Sequence, residues 1–303
     1  MTGANHAGNL LAEIRTHTDP VPQNGSDYPA SLSSSTLSLC ILIPVYNNPA
    51  GLIRSLSSIE YPSQQFIVLI VDDGSNSPLD PKSISERLVH PIPLQVIRSE
   101  KNEGITRALN RGLDFIYRHY TVDFIARLDC GDTCHPDRFI RQIAFMRTHP
   151  DIDLLGTWCY FSNPDTKAAY KYVTPTQHKR IKRSMYFRNV FIHPTVLWRS
   201  SSLEYFRYPD TFPHAEDYAL FYKVILQKHA AILDEFLVIC EINPRSISVH
   251  NRLEQLSSRM KVIMSFGTNP ILVMAGRLKL FLLRLMPNGL VYQLKLRIFK
   301  TGK

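Results

Sequence analysis

Cysteine is scarce in this 303-residue chain: five residues, at 40, 130, 134, 159 and 240, odd in number and scattered. That excludes a disulfide framework and fits reduced thiols in the cytosol. Cys130, Cys134 and His135 lie close together, but no second ligand pair follows at zinc-site spacing, so they are read as a coincidence. Glycine is equally thin where nucleotide motifs would need it. No Gly-x-Gly-x-x-Gly follows the first apolar run and no Gly-Lys-Ser/Thr loop occurs, which disfavours a dinucleotide-binding Rossmann domain and a P-loop NTPase. A long hydrophobic run is also missing. The greasiest stretch, 271–286, is broken by Arg277, Lys279 and Arg284 and falls short of the roughly 20 apolar residues a membrane span requires. The opening MTGANHAGNLLAEIR lacks the basic then apolar pattern of a secretory leader, so none is expected. Acidic residues are nearly absent from 251–303, which holds ten Lys and Arg against Glu254 alone; the whole net charge of +9 resides there and residues 1–250 are neutral. A cationic tail on a neutral body points to an anionic partner surface.

What is present is ordinary globular composition, 44% hydrophobic and 10% aromatic. Residues 1–37, rich in Ser, Asn, Pro and Thr, show no apolar period and read as a flexible polar leader. LCILIPV (39–45) and FIVLIV (66–71) are continuous apolar runs of the kind doubly covered parallel strands show, and LQVIR (94–98) is a shorter strand. Leu52, Ile53, Leu56 and Ile59 mark a helix between the first two. Ile105, Ala108, Leu109, Gly112, Leu113 and Ile116 follow a 3.6-residue period and predict another. FIARLDCGDTCHP (124–136) is an apolar strand ending in Asp129 and Asp132, with Pro136 expected at the first position of the next helix. The alternation predicts a doubly wound α/β sheet with its ligand edge at the carboxyl ends of the strands. Beyond residue 150 the pattern loosens. DLLGTWCYF (153–161), VFIHPTVLW (190–198) and AAILDEFLVICEI (230–242) read as strands, with helices at 178–183 and after Glu216-Asp217, so a mixed sheet is expected.

Taken alone, Asp129-Cys130-Gly131-Asp132 is a turn: Asp can cap a helix and Gly can supply positive φ. Two carboxylates three apart at a strand end can also hold a hard divalent cation, and a cation neutralises a diphosphate. Several such stretches occur in fixed order. These are Pro44-Val45-Tyr46-Asn47, Asp72-Asp73-Gly74-Ser75, Asn102-Glu103-Gly104 with Ala108 to Gly112, Arg127-Leu128-Asp129 running to Asp132, and Ala215-Glu216-Asp217. The ordered set resembles the family-2 inverting glycosyltransferases of the GT-A fold, over roughly residues 39–242. The resemblance implies a Rossmann-like mixed sheet flanked by helices, a nucleotide-sugar donor, a divalent cation (Mn²⁺ or Mg²⁺) and a hydroxyl acceptor on a glycan or lipid carrier. Carried over by position, Pro44, Tyr46 and Asn47 line the nucleoside pocket and Asp72 and Asp73 receive the base. Asn102, Arg107 and Arg127 lie near the nucleotide, and Asp129 and Asp132 take the place of the Asp-x-Asp signature. Asp217 is the general base, with Glu216 beside it. His193 reads as a packed core histidine.

One position departs from the family: Gly131 stands where the usual metal-binding carboxylate belongs. Asp132 could replace it, or cationic side chains such as Arg127 could offset the diphosphate charge. A relative without turnover, serving as a sugar-nucleotide-binding or scaffold subunit, is the alternative that Gly131 raises. The organisation expected is a leader (1–37), a transferase domain (38–250) and a basic amphipathic helical tail (251–303). In that tail Leu278, Phe281, Leu282 and Leu285 form one stripe, and Val291, Leu294 and Ile298 alternate with Lys295, Arg297 and Lys300. Such helices suit the anionic inner face of the cell membrane, with packing on the domain as the plainer reading. Few aromatics interleave the basic residues, so nucleic acid is not an expected partner.

Overall fold

The structure is a computed structural model that describes residues 36–163, 169–242 and 251–287. In chain order its strands and helices are β1 (Thr36–Val45), α1 (Pro49–Ser57), β2 (Phe66–Asp72), α2 (Pro81–Glu86), β3 (Leu94–Arg98), α3 (Ile105–His119), β4 (Thr121–Arg127), β5 (Thr133–Cys134), α4 (Arg138–Thr148), β6 (Leu154–Ser162), β7 (Ala169–Tyr172), α5 (His178–Met185), β8 (Leu197–Arg199), α6 (Ser200–Leu203), α7 (Glu216–Gln227), β9 (Ala230–Glu241), α8 (Arg252–Phe266) and α9 (Pro270–Leu285). They build one sheet in the order β3-β2-β1-β4-β8-β6-β9-β5, with β7 also paired to β6. The first four strands are mutually parallel. From β8 onward the sheet is mixed: β8 runs antiparallel to both β4 and β6, while β6 and β9 run parallel.

The continuous apolar runs follow from burial on both faces. In β1, Leu39, Ile41, Ile43 and Val45 turn to one layer with α1 and α4, whereas Cys40 and Leu42 turn to the other with α3, α5 and α7. Strand β2 alternates likewise, Val68 and Ile70 against Leu69 and Val71. Side-chain period 2 on a doubly covered strand directs successive apolar side chains to opposite layers. Helix α3 lies on β1 and β2 through the predicted stripe, and Gly112 sets the distance: a Cβ there would meet Leu42 at 2.4 Å.

Two expectations need correction. VFIHPTVLW is not one strand: His193–Thr195 forms a 3₁₀ turn and only Leu197–Arg199 pairs. Pro194 inside the run withdraws a ladder donor, so the segment is buried without joining the sheet. Pro136 is not a first helical residue either, since α4 starts at Arg138 with Asp137 at its N-cap. Helices α8 and α9 pack on the body of the fold, contributing Leu256, Val262, Ile263 and Leu280 to the larger core. Of the expected leader (1–37), residues 1–35 lie outside the described residues, as does the alternating stretch around Val291, Lys295 and Arg297, whereas Thr36 and Leu37 already belong to β1.

Candidate active site

The carboxyl ends of β1, β2 and β4 converge, and the turn after β4 is held from behind by Arg127. That residue is fully buried, yet arginine stays charged at all accessible pH. Its N–H groups are directed at the carbonyl of Leu42, the carboxylate of Asp129 and, at 3.3 Å, Nε2 of His193. Because arginine can only donate, Nε2 is an acceptor, and the Tyr208 hydroxyl 2.7 Å away must donate to it as well. Burial and the Arg127 charge hold His193 well below the usual imidazole range, so it is neutral. Arg127 was expected beside the nucleotide. It instead serves as an enclosed counter-charge fixing Asp129, whose side chain is 39% exposed and opens outward.

Beyond Asp129 the chain reverses through Gly131 at φ +110°, a conformation that disfavours side chains. Ser55 of α1 pins this reversal: its hydroxyl accepts from Gly131 N–H at 2.9 Å and donates to the Asp132 carbonyl at 2.7 Å. Asp132 turns inward. Its Oδ1 accepts the Glu241 N–H at 2.8 Å, tying the turn to the end of β9, and burial together with Asp129 pushes its carboxyl well above the usual range.

A Cβ on Gly131 would lie 3.4 Å from Oε2 of Glu241 and 3.7 Å from Nη2 of Arg54. Those two groups form an ion pair at 2.5 Å. The place of the missing carboxylate is thus bordered by an anion already matched to a guanidinium. Asp129 is open to a ligand, but Asp132 is committed to the backbone of Glu241, and among the described residues no three His, Cys, Asp or Glu are grouped to hold a metal ion. Cys130, Cys134 and His135 form no such group either. Of the two carboxylates expected to hold a cation, Asp129 opens outward and Asp132 is buried.

On the nucleoside side, the expected residues converge but divide their work. Tyr46 is exposed and Asn47, at φ 50°, follows it, while Pro44 is buried within β1. Asn47 clasps the second turn: its N–H donates to Ser75 at 2.9 Å and its Oδ1 accepts from Asn76 at 2.8 Å. Asp72 is fully enclosed, accepting from Ser75 N–H and paired with Arg98. Asp73 accepts from the N–H groups of Glu103 and Gly104, fastening the entry to α3. Asn102 also accepts from Gly104, and Arg107 is exposed with a 3.9 Å contact to Glu103. Both aspartates are buried and fasten the turn after β2 to β3 and to the entry of α3.

Helix α7 opens with Glu216 and Asp217. Oδ2 of Asp217 accepts from Asn189 at 2.9 Å and Oδ1 from Tyr218 N–H at 2.6 Å. A helix N-terminus favours the carboxylate by about 0.3–1 kcal/mol. Burial opposes it and wins, with Glu216 and Asp129 adding repulsion, and the Asp217 carboxyl is pushed up to about 7. Glu216 is raised too, mainly by burial. A carboxyl poised near neutral pH, with both oxygens oriented, is suited to accept a proton.

A sheet with a parallel half and a mixed half, flanked by helices, is the GT-A architecture. The family model for glycosyl transferase family 2 matches residues 40–206, and the chain belongs to that family; it is a glycosyltransferase. It is 29% identical to the amylovoran biosynthesis glycosyltransferase AmsE of Erwinia amylovora over 193 residues, 62% of this chain and 70% of that one. It is 27% identical to the UDP-Gal:alpha-D-GlcNAc-diphosphoundecaprenol beta-1,3-galactosyltransferase of Escherichia coli, covering 63% and 69%. The fold matches the mannosyltransferase PcManGT of Pyrobaculum calidifontis, solved with GDP-Man and Mn²⁺, at a TM-score of 0.58 and 14% identity over 93% of this chain and 79% of that one.

Proposed function

We propose that the chain moves a sugar from a nucleotide-sugar donor to a hydroxyl of a glycan or lipid-linked acceptor in cell-surface polysaccharide or glycolipid synthesis. The transfer is a single inverting displacement. The acceptor oxygen forms a bond to the anomeric carbon while the bond from that carbon to the diphosphate oxygen breaks. The electron pair leaves with the diphosphate and the hydroxyl proton passes to Asp217. The observation that carries this reading is Asp217 itself: a carboxyl raised to about 7, aimed by Asn189 and by Tyr218 N–H. Glu216 keeps its neighbour's proton affinity high by adjacent charge. The similarity to AmsE and to the diphosphoundecaprenol galactosyltransferase supports the polysaccharide and lipid-linked setting.

A Mn²⁺ or Mg²⁺ ion, as in the solved mannosyltransferase complex, would meet Asp129, with Asp132 inward of it. With position 131 bare, no step is assigned to the ion. The membrane setting rests on α9. Ile271, Met274, Leu278, Phe281, Leu282 and Leu285 are all at least half exposed and share an arc of about 100° at 3.6 residues per turn. Arg277 and Arg284 flank them. An apolar stripe edged by cations suits an anionic bilayer surface. No described helix is long and apolar enough to cross a membrane.

The experiment is Asp217→Asn. Turnover of nucleotide sugar should fall by at least about 10²-fold, the low end for a general base, with donor binding kept. Unchanged function of Asp217→Asn in cells would instead favour a scaffold role, the reading that Gly131 motivates.

A further inference from the structure

A diphosphate leaving group brings concentrated negative charge to the turn after β4, and the cations expected to meet it are poorly placed. Arg127 is sealed behind Asp129, with its N–H groups already engaged. Arg107 is exposed on α3, beside Glu103. The chain does hold a cation at the turn itself. Arg54 projects from α1, and its Nη2 lies 3.7 Å from where a Cβ on Gly131 would stand. The next residue, Ser55, bonds to both Gly131 and Asp132, so the helix carrying Arg54 is fastened to this turn. Asn48, at the N-cap of α1, adds a third tie, its carbonyl accepting from the Cys130 thiol. Among the described residues Glu241 alone accepts from the guanidinium, and half of the Arg54 side chain remains exposed.

We propose that Arg54 is the resident counter-charge for the donor diphosphate, standing in for the cation that a carboxylate at position 131 would have recruited. Its planar fork matches two phosphate oxygens. Glu241, at the end of β9, parks the guanidinium over Gly131 until the diphosphate displaces it. The bare glycine gives the phosphate room, because a side chain there would enter the space Arg54 and Glu241 share. This assignment rests on the nucleotide-sugar reading of the same site.

The test is isothermal titration of the full chain with UDP, GDP and dTDP, each in EDTA and in Mn²⁺, with the matching nucleoside monophosphate as control. The wild type is expected to bind one diphosphate within about twofold of the same affinity in both media. Arg54→Ala should weaken that diphosphate in EDTA by about 10- to 100-fold, the range for a lost charge-assisted contact. The monophosphate should change little, a contrast that a merely structural role would not produce. Arg54→Lys should restore part of the loss, and Glu241→Gln should leave metal-free binding undiminished. Arg54 is half exposed, so the variants should keep the wild-type melting temperature. Diphosphate binding that requires Mn²⁺, is indifferent to Arg54→Ala and collapses with Glu241→Gln would overturn the proposal in favour of an ion held by Asp129 and Glu241. Binding of no diphosphate in either medium would overturn the donor reading itself, and this assignment with it.

Discussion

At the scale of single residues, the site depends on charges held where burial works against them. Asp217 is anchored through Asn189, and that amide stabilises the carboxylate over the acid. Asn189→Ala is therefore expected to lower kcat and to shift the acidic limb of the pH–rate profile to higher pH. In the wild type that limb falls about tenfold per pH unit below about 7, because the base must be deprotonated. A limb left in place by Asn189→Ala would mean that Asn189 does not orient the base. Asp217 was singled out through the family resemblance, since a Glu-Asp pair opening a helix reads by itself as acids set against the dipole. Asn189 was not, since nothing in its neighbourhood announces a partner 28 positions away. Arg127 was carried over from the family as lying near the nucleotide, and a position in a motif does not tell that Leu42, Asp129 and His193 enclose its side chain. The Arg54–Glu241 pair joins positions 187 apart and leaves no local pattern at all.

Elements were more readable than residues. Strands β1, β2 and β4 are continuous apolar runs because both of their faces are covered, and α3 shows its stripe because only one of its faces is. The 190–198 stretch misled because an apolar run buried beside a sheet has the same composition as one within it. Only Pro194 hinted at the difference. Helix α9 packs on the body along one side and exposes apolar side chains on the other. Gly276 and Leu280 of α9 face the body, while Leu278, Phe281 and Leu282 face away from it. Replacing those three by Ser should abolish co-sedimentation with anionic liposomes and leave donor binding and melting temperature intact, as expected for side chains about half exposed. Persistent liposome binding by the triple variant would remove α9 from the membrane account.

For the whole molecule, the fold is a compromise between stability and chemistry. The ordinary Asp value is 3.8 and that of folded Asp217 is about 7, so the folded chain holds this proton more tightly than the unfolded chain. The associated stability is fully present below about pH 4 and is lost as pH rises through about 7. Asp217→Asn cannot ionise. Its melting temperature should match the wild type at pH 4 and exceed it at pH 8, by about 2–4 °C per kcal/mol recovered. Equal melting temperatures at pH 8 would mean that Asp217 ionises in the fold without penalty.

The most direct test of the account is release of nucleoside diphosphate from a panel of UDP-, GDP- and dTDP-sugars, with lipid extract as acceptor, by wild type and Asp217→Asn. The account predicts release from one nucleotide class by the wild type, and loss of at least about 10²-fold in the variant, with the donor still bound. Equal release by the two proteins would contradict it.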